Sequence, residues 1–185
     1  MLNKKYILAS QSPRRQQLLE FLEIDFETIS SDVEEIVEDG VPFEKVVQNL
    51  ALLKATHIAK EYPGYTVLGF DTLVILDKKA LGKPTDRTDA YQMLQSLSGR
   101  THTVLTGCAI VCNDEVETFY DCAEVTFNDM TDKEINEYLN TEEPYDKAGA
   151  YGIQGYGARY INYINGDFYT IMGLPVQKLY KALRG

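Results

Sequence analysis

Four polar features interrupt otherwise regular stretches of this 185-residue chain, and together they carry the charges that phosphoryl chemistry needs. They are the turn Ser10-Gln11-Ser12-Pro13-Arg14-Arg15, the pair Glu34-Glu35, the single Asp71 inside an apolar run, and Lys83 between Gly82 and Pro84. Lys54 and Lys147 add two further cations. Carboxylates can hold a divalent metal or activate a water, while lysines, arginines and hydroxyls neutralise phosphate oxygens. Phosphoryl chemistry calls for both kinds of group.

These residues need elements to hold them. Tyr6-Ile7-Leu8-Ala9 reads as a short buried strand, Ser12 as an N-cap and Pro13 as the first helical residue, where a missing N–H costs nothing. The helix continues through Leu18, Leu19 and Leu22. Its first turn presents unpaired N–H groups and the positive end of the helix dipole, so Ser10, Ser12, Arg14 and Arg15 surround a spot suited to phosphate. The same residues would also suit an ordinary, well-capped basic helix. Phe26 to Ser30 alternates as a second strand, and the acidic loop leads to a helix from about Phe43 to Glu61. Val46, Val47, Leu50, Leu53 and Ile58 give that helix an apolar face, with Lys54 off its centre. Thr66 to Leu76 is a β-branched central strand, in which the Asp71 carboxylate is costly to bury without a partner.

Farther along, Asp77-Lys78-Lys79 predicts a turn, and Ala90, Met93, Leu94 and Leu97 a helix closed by Gly99. Val104 to Cys112 and Val116 to Phe127 read as strands joined at Asn113-Asp114, and Thr131-Asp132-Lys133-Glu134 as a capping box. Residues 142–158 follow neither period and hold four glycines, which suggests a ligand-shaping segment. Tyr160 to Ile164 and Phe168 to Met172 flank Asn165-Gly166, a hairpin signal, and Pro175 opens the last helix. Alternation of strand and helix periods predicts a mixed α/β fold.

Composition narrows the function classes. Hydrophobic content of 44% and charged content of 25% are globular values, and the length suits one domain over 1–185 or a larger lobe with a small appended one. A net charge of −10 and the lack of a basic run argue against a nucleic-acid polymer as partner. No apolar run is long enough to cross a bilayer and no signal peptide is evident, so no membrane partner is expected and a cytoplasmic location is the default. Cys108, Cys112 and Cys122 read as free, mostly packed thiols, and two histidines give little support to a histidine metal site or a Ser-His-Asp triad.

Each candidate also has a plain structural reading. Asp71 could satisfy a neighbouring turn, Glu34 and Glu35 could be solvated loop charges, Lys54 and Lys83 surface residues, and Gln154 a turn cap. Tyr151 sits where a base could stack, or in the core.

Six blocks bring a resemblance into view. Leu8-Ala-Ser-Gln-Ser-Pro-Arg-Arg15, Gly69-Phe-Asp-Thr72, Leu81-Gly-Lys-Pro84, Leu97-Ser-Gly99 with His102, Glu143 to Gly155, and Gly173-Leu-Pro175 occur in the order seen in Maf proteins. The chain resembles that family of nucleoside triphosphate pyrophosphatases across nearly its whole length, and departs from it at Phe70, where alanine is usual. The resemblance implies an elongated α/β body, a mixed twisted sheet flanked by helices around a central cleft, similar to inosine triphosphatases. It implies hydrolysis at the α–β bond, giving a nucleoside monophosphate and pyrophosphate. The segment Asp146 to Gln154 is similar to the subfamily acting on dTTP and UTP, in a house-cleaning role that could extend to modified pyrimidine nucleotides.

By position, Asp71 matches the general base, and Arg14, Thr72 and Gln154 match base-selecting residues. Ser10, Ser12, Arg14, Arg15, Lys54 and Lys83 match a phosphate-binding set. Glu35, before its neighbour Glu34, is the expected partner of Asp71 in holding Mg or Mn. The family tendency is toward homodimers. A second reading is a nucleotide-binding regulator of cell division without essential turnover, and a third is a general phosphatase releasing orthophosphate.

Overall fold

The computed structural model describes residues 5–35 and 40–184 of the chain. Seven strands form one mixed sheet: β1 (Tyr6–Leu8), β2 (Phe26–Thr28), β3 (Thr66–Leu76), β4 (Lys79–Leu81), β5 (Thr101–Cys112), β6 (Glu115–Phe127) and β7 (Ile161–Gly166). Their order is β2-β1-β3-β5-β6-β7, with β4 paired to β3 off that path. β1 runs parallel to both β2 and β3, in register Tyr6 with Phe26 and with Thr66. Among the described residues six α-helices accompany the sheet: α1 (Pro13–Glu20), α2 (Phe43–Ala59), α3 (Arg87–Leu97), α4 (Asp132–Tyr138), α5 (Phe168–Met172) and α6 (Val176–Arg184). The mixed α/β expectation holds. None of the helices among the described residues is long and apolar enough to cross a membrane.

The chain divides into two compact units, one of residues 1–72, 105–121 and 173–185, the other of residues 73–104 and 122–172. In the first, Ile7, Ala9, Val67, Ala109 and Val111 from the strands pack with Ala51, Ala55 and Ile58 of α2. Glycine sets how closely helix and strands meet. A Cβ on Gly69 would lie 2.2 Å from the Ala51 carbonyl oxygen and 2.9 Å from the Ala55 Cβ, and one on Gly107 would lie 2.2 Å from the Val47 carbonyl oxygen. The α2 backbone therefore rests directly on β3 and β5. Its contact stripe is Val47, Ala51 and Ala55, at helical spacing, and Leu53, expected on the apolar face, is 41% exposed instead. Small residues win that face because a backbone-to-backbone contact has no room for larger ones.

In the second unit Leu94 and Leu97 of α3 are fully buried among Val74, Val104, Phe127 and Ile135, each contributing about 2 kcal/mol of apolar burial. The capping box forms as expected: the Thr131 hydroxyl accepts the Glu134 N–H while the Glu134 carboxylate accepts from the Thr131 backbone. Asp77 and Lys78 both take positive φ, 50° and 61°, and so turn β3 tightly into the short β4, a strand too brief to show in the sequence pattern.

The predicted hairpin about Asn165-Gly166 does not form. Phe168 to Met172 is helix α5 and not the second arm of a hairpin, because Asp167 Oδ2 accepts both the Thr170 N–H and the Thr170 hydroxyl at 2.9 Å and starts a helical turn. β7 pairs antiparallel with β6 instead, with a bulge at Thr126/Phe127. Of the three thiols, Cys108 is buried and Cys112 half-buried, but Cys122 is exposed.

Tyr151 is a core residue and not an open stacking face. It is buried, its hydroxyl 2.7 Å from His102 Nε2, with both rings edge-on to Phe127. The His102 ring is 2% exposed and burial lowers its pKa to about 4. The imidazole is thus neutral when folded and takes up a proton near pH 6.5 only when unfolded. Its contribution is complete above pH 6.5 and is lost as pH falls toward 4, where the difference amounts to about 3 kcal/mol. Urea unfolding between pH 7 and 4 should show wild-type stability falling by about that much more than stability of His102→Gln. Parallel pH profiles would contradict this origin.

Candidate active site

In the first unit the polar residues predicted from sequence converge on Asp71, which is 6% exposed in β3. Lys54 reaches it from α2, with Nζ 2.6 Å from Asp71 Oδ1 and 2.8 Å from Glu35 Oε1. Helix packing explains the reach. Lys54 lies between Ala51 and Ala55, the residues that touch the Gly69 backbone, so its stem starts close above the strand and its side chain is only 13% exposed. Burial raises the Asp71 pKa, and the ammonium of Lys54 and then the guanidinium of Arg15 oppose that rise. Two cations thus favour the anionic form, against the effect of burial.

Arg15 occupies the space behind this pair. Its Nε donates to the Gly173 carbonyl at 2.9 Å, one terminal nitrogen to the Ser10 hydroxyl at 3.3 Å and the other to the Thr72 hydroxyl at 3.2 Å, while its Cζ lies over the Phe70 ring, 5.9 Å from the centroid. Burial lowers its pKa, and the Asp71 charge opposes this. Three of the five guanidinium donors are therefore engaged by protein oxygens. Phe70, the departure from the family pattern, supplies the apolar floor. Gly173, at φ +104°, could not be replaced freely, since a Cβ would lie 3.1 Å from Thr72 Oγ1.

The hydroxyl residues sort by depth. Ser10 is buried, its oxygen also accepting the Ser12 N–H at 3.2 Å. Ser12 stands at the N-cap of α1 with Pro13 at the first helical position, as expected, but its hydroxyl makes no capping bond. Arg14 and Thr72 are half-buried, and Glu34 and Glu35 are exposed. Thr72 Oγ1 also meets Thr106 Oγ1 at 2.9 Å. Sequence reasoning passed over Thr106, whose signal was a lone hydroxyl residue in the run Val104-Leu105-Thr106.

Lys83 and Gln154 belong to the second unit, and both are exposed. Their segments are joined there, because the Gly149 N–H donates to the Gly82 carbonyl at 3.0 Å. Lys147 does not stand free as a phosphate cation: its Nζ bonds the Glu143 carbonyl at 2.7 Å and pairs with Asp146. Glu143 was missed as a candidate. It precedes a proline and gathers the loop around its carboxylate.

Asp71 and Glu35 offer hard oxygen donors of the kind Mg or Mn takes, and both now bond one ammonium. Among the described residues no three His, Cys, Asp or Glu side chains cluster to hold a metal by themselves. The donor set fits a cation that draws its remaining ligands from phosphate oxygens and water.

With this arrangement in view, the model of the family described as Maf-like protein matches residues 5–185. The chain belongs to the Maf family. Two relatives of this Maf-family chain, from Bacillus cytotoxicus and Bacillus thuringiensis subsp. konkukian, are 47% and 46% identical over 181 residues, spanning 98% of the chain and 95% of their own length. Both are named dTTP/UTP pyrophosphatase. Among solved structures, the Staphylococcus aureus Ham1 protein superposes with a TM-score of 0.56 at 18% identity, covering 98% of this chain and 99% of its own. A HAM1 protein from Coxiella burnetii gives 0.55 at 19%, covering 98% of each. At that identity the likeness establishes the fold alone.

The Lys54–Asp71 pair is testable as a unit. Lys54→Met should cost about 3 kcal/mol in urea unfolding at neutral pH, because it strands a buried carboxylate. Lys54→Met combined with Asp71→Asn should recover most of that loss. Purely additive losses would show that the two groups do not depend on each other.

Proposed function

We propose that this chain hydrolyses dTTP and UTP between the α and β phosphates, releasing the nucleoside monophosphate and pyrophosphate. The observation that carries the reading is Asp71, a buried carboxylate whose anionic form Lys54 and Arg15 favour against the upward push of burial on its pKa, in a chain 47% identical to a protein named for this reaction. A base at that position can accept a proton from an attacking water.

Roles follow from the positions. Asp71 Oδ1 is engaged by Lys54, which leaves Oδ2 to take the proton from water. Lys54 spends two of its three donors on Asp71 and Glu35, and the third is available to a phosphate oxygen. Ser10, Ser12 and Arg14 at the start of α1, with Lys83, complete the set that meets charge on the triphosphate and on the leaving pyrophosphate. Arg15 acts from behind, holding the Ser10 and Thr72 hydroxyls in place. Asp71 and Glu35 would hold a magnesium or manganese ion, which when bound would supply charge neutralisation for the phosphates and activation of water. Arg14, Thr72 and Gln154 choose the base. Gln154 offers both an amide donor and a carbonyl acceptor, as reading a pyrimidine edge requires.

Asp71→Asn keeps the shape of the side chain and removes its basicity. Turnover of UTP should fall about a thousandfold while UTP binding, read by calorimetry, stays close to wild type. Near-normal turnover would remove Asp71 from the mechanism.

A further inference from the structure

The loop that carries Gln154 is closed on itself through a single carboxylate, and we propose that Glu143, acting with Tyr138, is a positioning residue for base selection. The proposal rests on the reading above that Gln154 recognises the base. Glu143 Oε1 accepts the Tyr138 hydroxyl and the Gly157 N–H, each at 2.8 Å, and Oε2 accepts the Tyr156 N–H at 2.8 Å. The Tyr138 oxygen in turn accepts the Gly152 N–H at 3.0 Å. Both ends of the segment 152–157 therefore hang from one glutamate–tyrosine pair. Gln154 lies midway, exposed and in extended backbone, φ −96° and ψ 155°.

The glycines of this segment are explained by the same carboxylate. A Cβ on Gly155, which sits at φ +82°, would lie 2.3 Å from Glu143 Oε2. One on Gly157 would lie 2.3 Å from the Gly152 carbonyl oxygen and 2.8 Å from Tyr138 Oη, and one on Gly152 would lie 3.0 Å from Glu143 Oε1. The loop closes so tightly that residues 152 and 157 touch. The Glu143 backbone is fixed too, through its carbonyl bond to Lys147 Nζ. Tyr138 belongs to α4, whose N-terminus is held by its capping box, and its ring stands edge-on to Tyr160 in the core. The support for Gln154 is thus a regular element transmitted by three bonds to one charged group.

A carboxylate suits this position because all three partners are donors. An amide presents one acceptor oxygen and turns N–H groups toward N–H groups, so Glu143→Gln would loosen the 152–157 loop without touching substrate. Loosening should show in which base is accepted and not in how phosphates are held. Inorganic tripolyphosphate, which has no base, separates the two effects when used as a competitive inhibitor.

The experiment compares kcat/KM for UTP and CTP, and inhibition by tripolyphosphate, in wild type, Gln154→Ala, Glu143→Gln and Tyr138→Phe. Glu143→Gln and Tyr138→Phe should each lower the UTP to CTP preference about tenfold, through a higher KM for UTP, with tripolyphosphate inhibition within about twofold of wild type. An unchanged preference in folded Tyr138→Phe, which loses a single oxygen atom, overturns the proposal even if Glu143→Gln fails to fold. If Gln154→Ala abolishes the preference while the two supporting variants keep it, only this inference falls. If Gln154→Ala keeps the preference, the base-reading role of Gln154 falls and this inference with it. An equal rise in KM for UTP, CTP and tripolyphosphate would mark a general structural role and also overturn it.

Discussion

A carboxylate buried at the middle of β3 constrains the first unit more than any other single group. Asp71 can stay ionised there only if a cation comes to it, and the cation is on a different element, α2. Lys54 can deliver its ammonium at 2.6 Å because the helix backbone lies against Gly69 and Gly107, where any side chain would push it away. Arg15 adds a second positive charge behind Asp71 and ties the Ser10 turn to Thr72 and Gly173. A packing requirement, the absence of side chains at two strand positions, thereby becomes an electrostatic property of the site.

The second unit reaches order by a different route. There the carboxylate of the organising residue, Glu143, is satisfied by a hydroxyl and two backbone N–H groups. This ties down both ends of an irregular, glycine-rich segment without the regular ladder of a helix or strand. His102 and Tyr151 serve the adjoining core, as a neutral imidazole and an uncharged phenol whose pKa burial pushes up.

Much of this was legible in the residues. The β1 turn into α1, the Asn113-Asp114 turn, the Thr131 capping box and the oddity of Asp71 in a strand all announce themselves through spacing or through a charge in the wrong place. The misreadings arose where a tertiary partner outranked a local signal. Asn165-Gly166 is a strong turn pair, yet Asp167 captured Thr170 and made a helix. Leu53 matched the apolar period, but glycine on the strands moved the contact stripe to alanines. Tyr151 read as a stacking platform because nothing local reveals that His102, 49 residues earlier, holds its hydroxyl. The Thr106 contact with Thr72 and the Glu143 network escaped for the same reason: the bonds that give these residues meaning are closed by folding, not by spacing.

The central claim, that the Asp71 site directs water at the α–β anhydride of a pyrimidine triphosphate, is tested most directly by product identity. UTP or dTTP incubated with the protein and Mg or Mn, and followed by phosphorus NMR, should give the nucleoside monophosphate and pyrophosphate in equal amounts, with neither diphosphate nor orthophosphate. Release of orthophosphate with the nucleoside diphosphate, or stoichiometric binding of an intact triphosphate, would contradict it.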